Sequence, residues 1–488
     1  MTGAPGNAAI AANYDAVAYD ALPHPVSHPD NVAAVATMFG VAAPAVATAR
    51  VLEVGCNDGS NLLPMAAALP GATFVGCDIA PLAIRAANES AAALALSNVR
   101  FVEADLGVLD SGPWDYVIAH GVYSWVPATV REALFDLLRR SLAPNGLAFV
   151  SYNTYPGGHV RRAAWEALRW HVRDLPAREE QLREARSFAA LMAEAGPTHE
   201  AADASVRSEF ARIAAEADSP LYHDTLAEPN DPVWFHQFAD HAARHDLAYV
   251  AEALPSMMAG GGLSARVRQF LAAQPRLARE QYLDIARVRR FRQSILARAE
   301  AVGDGQLVAS RMASLQVSAA MPLMRAASES RLPAAGGADA PVLRALLESL
   351  VAAAPTARPV PEVLASASAA PGGRSVEAVL IDAWVSGFAQ LHALGPAAAH
   401  AAGATPRAFR VASRQAPLRE TVTNLRHETI RLADPFARAL LPLCDGRRDR
   451  AALAAALAGA GNPRDPTLLA QVDGTLAMLA RYALLERE

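Results

Sequence analysis

The feature that most constrains the fold is an apolar run that leads straight into a glycine-containing turn. Residues 51–61 read VLEVGCNDGSN, and a helical pattern, NLLPMAAA, starts where the turn ends. Glycine allows the positive φ angles of a tight turn, and the N-terminus of the following helix offers free amide donors and a positive dipole end. The segment therefore predicts a buried strand, a turn and a helix that together face a ligand.

Short apolar runs alternate with helical patterns from this segment to about residue 155. The expected strands cover 51–54, 73–77, 99–103, 114–119 and 147–152, and the expected helices between them include 61–68, 81–95 and 128–142. Alternation of this kind is typical of a parallel sheet with helices on both faces. We therefore expect an α/β fold with a doubly wound, mostly parallel sheet.

The sequence on either side of this part differs in composition. An irregular arm with several prolines precedes it, and a short helix is expected there from Asp30, as N-cap, to Phe39. Long helices with charged faces follow it, including an arginine-rich helix over 281–298. The expected units are an N-terminal arm or lid (1–40), the sheet domain (41–160), a helical middle domain (161–305), a helical segment with an Ala/Pro-rich linker (306–407) and a small winged-helix-like C-terminal domain (408–488).

Composition excludes several classes of protein. Hydrophobic residues make up 52 % of the chain but aromatic residues only 6 %, and the most apolar stretch, 376–404, contains Glu377 and Asp382, so no membrane-spanning helix is expected. A net charge of −5 gives no basic surface for nucleic acid. Three cysteines are too few for a disulfide framework, and the first residues lack the pattern of a secretory signal. We expect a soluble, cytoplasmic protein.

Acidic residues stand at or just after the ends of the first three expected strands. They are Glu53, Asp78 and Asp105. The carboxyl ends of neighbouring parallel strands meet at one edge of the sheet, where ligands bind in open α/β folds. A carboxylate after the second strand accepts hydrogen bonds from ribose hydroxyls in dinucleotide folds, and one after the third can accept from an adenine amino group. The pattern therefore predicts a nucleoside site, although the dinucleotide motif G-x-G-x-x-G is absent.

The ordered set E-x-G-x-x-x-G, Asp78, Asp105 and WDYVIAHGVYSWVP resembles the class I S-adenosylmethionine-dependent methyltransferases. The resemblance implies a Rossmann-like, seven-stranded sheet and S-adenosylmethionine as the cofactor. It further implies that Glu53 and Gly55 face the methionine part, Asp78 the ribose, Asp105 with Leu106 the adenine, and His120 the sulfonium. The implied cofactor-binding residues are Glu53, Gly55, Cys56, Asn57, Gly59, Asn61, Asp78, Ile79, Asp105, Leu106 and His120.

One residue departs from the pattern of that family. Asn57 stands where the family usually has its middle glycine. Asparagine is the residue other than glycine that best tolerates a left-handed turn, so we expect the turn to form and the cofactor to bind.

Further motifs resemble the subgroup that carries a methyltransferase regulatory domain, best known from rickettsial lysine methyltransferases that act on outer-membrane surface proteins. They are YDAVAYDALPHPVSHPD (14–30), HGVYSWVP (120–127), SYNTYPGGH (151–159) and the segment from LYHDTL to EQYLDIARVRRFRQSIL (221–296). The resemblance implies a lysine side chain of a protein as the substrate, and a homodimer through the helical middle domain.

Methyl transfer from a sulfonium is an in-line displacement, so the enzyme mainly aligns the acceptor and excludes water. An amine acceptor must arrive neutral, and tyrosine, histidine and asparagine side chains can receive its hydrogen bonds without a strong base. The candidate catalytic residues at the strand ends and in the arm are Tyr14, Tyr19, His120, Tyr123, Trp125, Asn153 and Tyr155, and Tyr152 and His28 are further candidates.

Two histidine pairs are candidate metal ligands. Prolines between His24 and His28 break helical register, whereas His241 and His245 could share one face of a helix, the spacing of paired ligands. Because no third ligand is evident in the sequence, no metal is expected.

The leading hypothesis is an S-adenosylmethionine-dependent methyltransferase of protein lysine. Two alternatives stay open: a small-molecule or natural-product methyltransferase, and a catalytically weak, cofactor-binding regulatory protein, which Asn57 motivates. All 44 basic residues are arginine, which fits both GC-rich coding and an enzyme that spares itself. Interleaved acids in DGRRDR (445–450) favour protein docking there over nucleic acid.

Overall fold

The computed structural model describes residues 21–487 apart from 107–108, 110–111, 197–199, 330–331, 333–337, 370–372, 460–461 and 463. Its strands are β1 (Arg50–Val54), β2 (Thr73–Asp78), β3 (Val99–Glu103), β4 (Trp114–Ala119), β5 (Leu142–Asn153), β6 (Leu247–Glu252), β7 (Phe291–Arg298), β8 (Gln316–Ala319), β9 (Arg358–Pro359), β10 (Ala389–His392), β11 (Thr421–Thr423) and β12 (Thr429–Arg431).

The α-helices of six or more residues in the described ranges are α1 (Pro29–Met38), α2 (Leu62–Ala68), α3 (Pro81–Ala93), α4 (Ala128–Ser141), α5 (Gly157–Val172), α6 (Arg178–Ala193), α7 (Ala201–Ala214), α8 (Phe235–Arg244), α9 (Ala265–Ala272), α10 (Arg276–Arg287), α11 (Met321–Ser328), α12 (Ala340–Ala353), α13 (Val360–Ala365), α14 (Val376–Val385), α15 (Arg410–Gln415), α16 (Pro435–Leu440), α17 (Arg450–Leu457) and α18 (Pro466–Arg481). Among these described helices, none combines the length and the apolar character that crossing a membrane requires.

Seven strands form one sheet in the order β3-β2-β1-β4-β5-β7-β6. Strands β1 to β5 pair in parallel, and β7 runs antiparallel between β5 and β6. Successive residues of β1 enter different cores, because Val51 packs on one face of the sheet and Leu52 on the other. Burial on both faces explains why these strands read as unbroken apolar runs. The expected α/β fold with a mostly parallel, seven-stranded sheet is confirmed.

The last two strands of the sheet come from the segment expected to be a helical middle domain. Strands β6 and β7 lie within 161–305, so a boundary at residue 160 does not separate the sheet from that segment. The arginine-rich helix expected over 281–298 is also wrong. Helix α10 ends at Arg287, Val288 takes a left-handed φ of 49°, and β7 begins at Phe291.

Helices α5, α6 and α7 form the part of the middle segment that is helical, as expected. They have a core of their own, in which Leu168, Leu182 and Phe210 are buried. The chain then returns towards the sheet through a π-helix, Leu221–Leu226. This helical unit is therefore an insertion between β5 and the last two strands of the sheet.

Residues 306–407 form a packed unit, so the expectation of a linker is wrong for the described part of this range. Strand β8 lies between β10 and β9 in a three-stranded sheet, and α12 and α14 pack against it. Val317, Leu346 and Leu380 are fully buried there. Alanine-rich composition was a poor guide, because alanine is buried as readily as larger apolar residues and loses no side-chain entropy.

The N-cap of helix α1 lies two residues earlier than expected, and Asp30 is not that N-cap. His28 is the cap, and its Nδ1 accepts a hydrogen bond from the Asp30 amide at 3.1 Å. The Asp30 carboxylate instead accepts from His392 Nδ1 at 2.6 Å and from the Leu394 amide at 2.7 Å. Asp30 thus joins the arm to the unit formed by 306–407, a distant contact that a local pattern does not reveal.

The C-terminal unit is a winged helix, as expected. It combines helices α15 to α18 with the hairpin β11–β12. At the tip of the hairpin His427 takes a left-handed φ of 62° and is buried. The hairpin therefore points its tip into the protein, towards the sheet domain.

A buried cluster of charged residues explains how strand β7 can accommodate a buried arginine, Arg292. The fully buried Arg292 guanidinium donates to Glu252 Oε1 at 2.7 Å and to the two Asp284 oxygens at 2.8 and 2.9 Å, and Glu280 Oε2 lies 3.3 Å away. Burial alone would raise the pKa of Glu252, but Arg292 and Arg289 hold that pKa below its usual value. Removing one member of such a cluster leaves buried charge without compensation.

We expect Arg292→Met to lower the free energy of unfolding by about 3–5 kcal/mol, because it leaves buried acidic groups without their main cation. Arg431→Met is the matched control: Arg431 is 74 % exposed where it pairs with Glu420, so its loss changes stability by less than about 1 kcal/mol. Urea denaturation followed by circular dichroism measures both. Equal destabilisation by the two variants would contradict this role of Arg292.

Candidate active site

A cleft of about 330 Å³ opens at the carboxyl ends of the parallel strands. Residues at or just after the C-terminal ends of β1, β2, β3, β4 and β5 line it, and this is the edge where open α/β sheets bind ligands. Of the residues that the sequence predicts for cofactor binding, every one lines this cleft except Gly59, which is buried beneath the turn.

The turn after β1 takes the backbone conformation that its residues favour. Gly55, Asn57 and Gly59 have φ angles of 70°, 48° and 75°. A Cβ atom on Gly55 would lie 2.8 Å from Val122 Cγ2, and one on Gly59 would lie 2.6 Å from the Phe101 ring. Both glycines are therefore required by space as well as by φ, whereas Asn57 occupies its left-handed position with room for a side chain.

The acids after β2 and β3 border the same cleft. Asp78 Oδ2 accepts from the Asn57 amide at 2.9 Å and Oδ1 accepts from the Ala80 amide at 3.0 Å, so the carboxylate is held against the turn. Ile79, Asp105 and Leu106 continue the wall. Carboxylates that alternate with apolar side chains suit a nucleoside, which combines polar hydroxyls with a flat ring.

Glu53, in β1, holds an unsatisfied oxygen at the base of the cleft. Its Oε1 accepts from Asn61 Nδ2 at 2.7 Å, while its Oε2 is buried and has no hydrogen-bond partner among the described residues. Burial raises the pKa of Glu53 from 4.5 to about 8, in spite of the bond from Asn61. An ammonium group such as that of a methionine moiety would satisfy this oxygen and stabilise the ionised carboxylate. The chain's own residues therefore fit the implied cofactor.

Asn61 joins three parts of the chain beside Glu53. Its Oδ1 accepts from the His24 amide of the arm at 2.9 Å and from His427 Nε2 of the winged helix at 2.8 Å. Its Nδ2 also donates to Ser27 Oγ at 3.2 Å. The amide of one residue on the glycine turn thus connects the arm, the sheet and the C-terminal unit.

Two neutral imidazoles form the wall beside β4. The His24 and His120 rings lie 3.7 Å apart between centroids, and both line the cleft. Burial lowers the pKa of His24 to about 4 and that of His120 well below its usual value. His120 Nδ1 is buried without a hydrogen-bond partner among the described residues. Near neutral pH both rings are uncharged and are compatible with a neighbouring sulfonium.

Of the candidate catalytic residues, the structure brings His120, Trp125 and Asn153 to the cleft. Tyr14 and Tyr19 lie outside the described residues. Tyr123, Tyr152, Tyr155 and His28 do not line the cleft, so their expected place in it is wrong. Tyr123 bonds to His241 Nδ1 at 3.0 Å, Tyr152 to Ser294 Oγ at 3.2 Å and Tyr155 Oη to Arg162 at 3.4 Å, while His28 packs near His427.

The alternation of strand β5 explains two of these outcomes. Successive side chains on a strand point to opposite faces, so Tyr152 enters the core and stacks on Phe238 while Asn153 faces the cleft. Asn153 Nδ2 donates to Asn230 Oδ1 at 2.7 Å, and its own Oδ1 is buried without a hydrogen-bond partner in the described part of the chain. Asn153 therefore presents a free acceptor beside the cleft.

Sequence reasoning missed several residues that line the cleft. Asp224, on the π-helix, is the most notable, and burial raises its pKa to about 6 against the opposing effect of Arg161. Its main-chain oxygen accepts from Asn230 Nδ2 at 3.1 Å, so Asp224 and Asn153 belong to one hydrogen-bonded group. The motif LYHDTL was the available signal, since π-helices occur often at functional sites. Further lining residues that were not predicted include His24, Arg161, Arg290 and Phe291.

Three family models match the chain. The one described as "Methyltransferase domain" covers residues 52–148, "Predicted methyltransferase regulatory domain" covers 217–298, and "PKMT, C-terminal winged helix domain" covers 405–481. The regulatory-domain match contains β6 and β7, so that domain completes the sheet.

Three of the proteins that this chain resembles come from the genus Rickettsia. An uncharacterised protein of Rickettsia prowazekii is 35 % identical over 287 residues, 58 % of this chain and 52 % of that protein, so the chain spans about half the length of this relative. Another is 30 % identical over 236 residues, 47 % of this chain and 94 % of that protein. PKMT2 from Rickettsia typhi, solved in complex with AdoHcy, has the same fold, with a TM-score of 0.81, 22 % identity, and coverage of 96 % of this chain and 99 % of that chain.

The strand order, the glycine turn and the acids at the strand ends define a class I methyltransferase fold. The chain belongs to the same family as the second of these R. prowazekii proteins, and it carries a methyltransferase domain, a methyltransferase regulatory domain and a PKMT-type winged helix.

The raised pKa of Glu53 makes ligand binding depend on pH. Below about 8 the free protein keeps this carboxyl protonated, so binding an ammonium group requires a proton to leave. We expect the affinity for S-adenosylhomocysteine to rise by up to about tenfold per pH unit between pH 6 and 7.5. Because the folded pKa lies above the usual 4.5, Glu53 also makes the free protein less stable as pH rises from about 4.5 to 8.

Isothermal titration calorimetry in two buffers of different ionisation enthalpy measures both the affinity and the proton release. Glu53→Gln should bind with little dependence on pH in this range. Glu103→Gln is the control, because Glu103 ends β3 but is exposed and does not line the cleft. An unchanged pH slope in Glu53→Gln would show that another group titrates.

Proposed function

We propose that the chain transfers a methyl group from S-adenosylmethionine to the amine of a lysine side chain in a protein substrate. The observation that carries this proposal is the Asn153 Oδ1 acceptor, which has no hydrogen-bond partner among the described residues, in a cleft that Asp224 and Glu53 also line. A positively charged side chain that enters the cleft would meet Asn153 and Asp224. The PKMT description of the matching winged helix supports a protein substrate.

The residues at the strand ends would hold the cofactor, which supplies a methyl group bound to a positively charged sulfur. Glu53 would bind its ammonium group, Asp78 the ribose hydroxyls, and Asp105 with Leu106 the adenine. Val54, Gly55 and Cys56 line the cleft beside Glu53 and would let the cofactor approach the backbone of the turn. The neutral His24 and His120 rings would border the sulfonium without repelling it.

The far wall of the cleft would prepare the amine. Trp125 and Phe291 exclude water, and desolvation lowers the pKa of a lysine amine so that its neutral form becomes accessible. Asp224 is largely ionised above its pKa of about 6, so its carboxylate attracts the incoming ammonium group. The carboxylate would accept a proton from that ammonium group and release it to solvent. Asn153 Oδ1 would accept an N–H of the neutral amine and orient its lone pair.

Assembly and compartment belong to the same proposal. Trp170 on α5 and Leu191 on α6 are 64 % and 63 % exposed, and such apolar side chains on the helical unit support a homodimer through it. Cys56, Cys77 and Cys444 are free and buried, which supports a reducing, cytoplasmic compartment.

The function is tested by incubating the protein with tritiated S-adenosylmethionine, a mixture of lysine-containing proteins and a metabolite pool. We expect label on protein, and mass spectrometry should locate it on lysine. Because the chain itself contains no lysine, self-methylation cannot produce that signal. Asp78→Ala is the inactive control. Label on small molecules alone would favour a metabolite methyltransferase, and binding without transfer would favour a cofactor-binding regulator.

Replacing the amine-binding groups should separate turnover from cofactor affinity. We expect Asn153→Ala and Asp224→Asn each to lower kcat by about a hundredfold, since both misplace the acceptor, while the Kd of S-adenosylhomocysteine changes less than about twofold. Asn145→Ala is the matched control, because Asn145 lies on the same strand, β5, but is exposed. Loss of cofactor affinity with unchanged kcat would refute the assignment.

A further inference from the structure

We propose that Glu132, His241 and His245 form a binding site for one divalent transition-metal ion, distinct from the methyl-transfer cleft. His241 lies on α8, His245 directly follows that helix, and Glu132 lies on α4. The sequence offered only the two histidines, and folding brings the carboxylate to them from a distant helix.

The donor atoms are spaced as metal ligands are. One nitrogen of each imidazole and a Glu132 oxygen all lie within 4.8 Å of one another. His241 Nε2 is 3.3 Å from Glu132 Oε1, and His245 Nε2 is 3.0 Å from Glu132 Oε2. Ligands 2.0–2.1 Å from a tetrahedral zinc ion are separated by about 3.3 Å, and each imidazole nitrogen lies close to this distance from one of the two Glu132 oxygens.

The opposite nitrogen of each ring already has a partner that would orient it. His241 Nδ1 lies 3.0 Å from the Tyr123 hydroxyl, and His245 Nδ1 lies 3.2 Å from Asp136 Oδ1. Imidazoles that bind metals usually make this type of outer hydrogen bond, which fixes the tautomer and turns the Nε2 lone pair towards the ion.

The environment of His241 favours the binding of such an ion. The His241 side chain is buried and stacks on Phe135 with ring centroids 4.1 Å apart. Its Nε2 lies 3.3 Å from Glu132 Oε1 and makes no hydrogen bond with the described residues. Arg244 Nη2 lies 3.7 Å from Glu132 Oε1 and is the competing cation.

The donor set selects the class of metal. Two imidazoles and one carboxylate suit zinc and neighbouring transition metals, whereas magnesium and calcium prefer oxygen ligands. The Glu132 side chain is 52 % exposed, so solvent can supply a remaining ligand and ions can enter. A bound ion would clamp α4 to α8 and, through Tyr123, the loop that carries the cleft residues Val122 and Trp125.

The test uses the full chain after treatment with a chelator. Zinc is titrated against a chromophoric competitor, and cobalt is added separately as a spectroscopic probe. We expect one equivalent of zinc per chain and the visible absorption bands of cobalt in a low-coordinate site. Zinc should also raise the Tm. Glu132→Gln and His245→Ala should each weaken zinc binding at least tenfold.

His236→Ala is the matched control, because His236 lies on the same helix with an exposed ring that bonds to Gln281, and it should bind zinc as the unchanged chain does. Glu132 is on the surface, so Glu132→Gln should fold normally, which circular dichroism checks. The proposal would be overturned if Glu132→Gln and His245→Ala left zinc binding unchanged, or if the chain bound less than one equivalent of zinc. Neither outcome bears on methyl transfer, because the site lies outside the cleft.

Discussion

The hydrogen bond from Asn61 to Glu53 is the interaction on which the cleft depends. A buried carboxyl at the end of a strand is costly, and this bond satisfies one of its oxygens while leaving the other free for a ligand. The same amide receives the arm and the tip of the winged helix, so three distant segments are positioned by one side chain. The turn after β1 is therefore the place where the arm, the sheet domain and the C-terminal unit contact one another.

Much of the fold could be predicted because it depends on local pattern. Apolar strands buried on both faces, glycines that permit a turn, and helices between strands identify the parallel sheet from residues 51 to 153. The pattern failed where distant charges decide conformation. FRQSILAR, taken alone, resembles part of an arginine-rich helix. Glu280 and Asp284 are close to Arg292 in sequence, but Glu252, which completes the buried cluster from the neighbouring strand, lies 40 residues earlier. The Ala/Pro-rich range 306–407 failed for a different reason, since small side chains leave little periodic signal.

The candidate site shows the same division. Glu53, Asp78 and Asp105 could be named in advance because strand ends converge in a parallel sheet, and all three line the cleft. Strand alternation alone separates Asn153 from Tyr152, because neighbouring side chains on a strand point to opposite faces of the sheet. His427 could not have been found, because its role rests on the packing of the C-terminal unit against a turn that lies hundreds of residues earlier.

The contact between His427 and Asn61 would couple the C-terminal unit to ligand binding in the cleft. If docking of the β11–β12 hairpin on Asn61 favours ligand binding, then ligand binding favours docking of the hairpin by the same free energy, because coupling between two equilibria is reciprocal. A macromolecule that binds the winged helix would therefore change the ligand affinity of the cleft without contacting it. A bound ligand would in turn restrict the motion of the hairpin to which such a macromolecule binds.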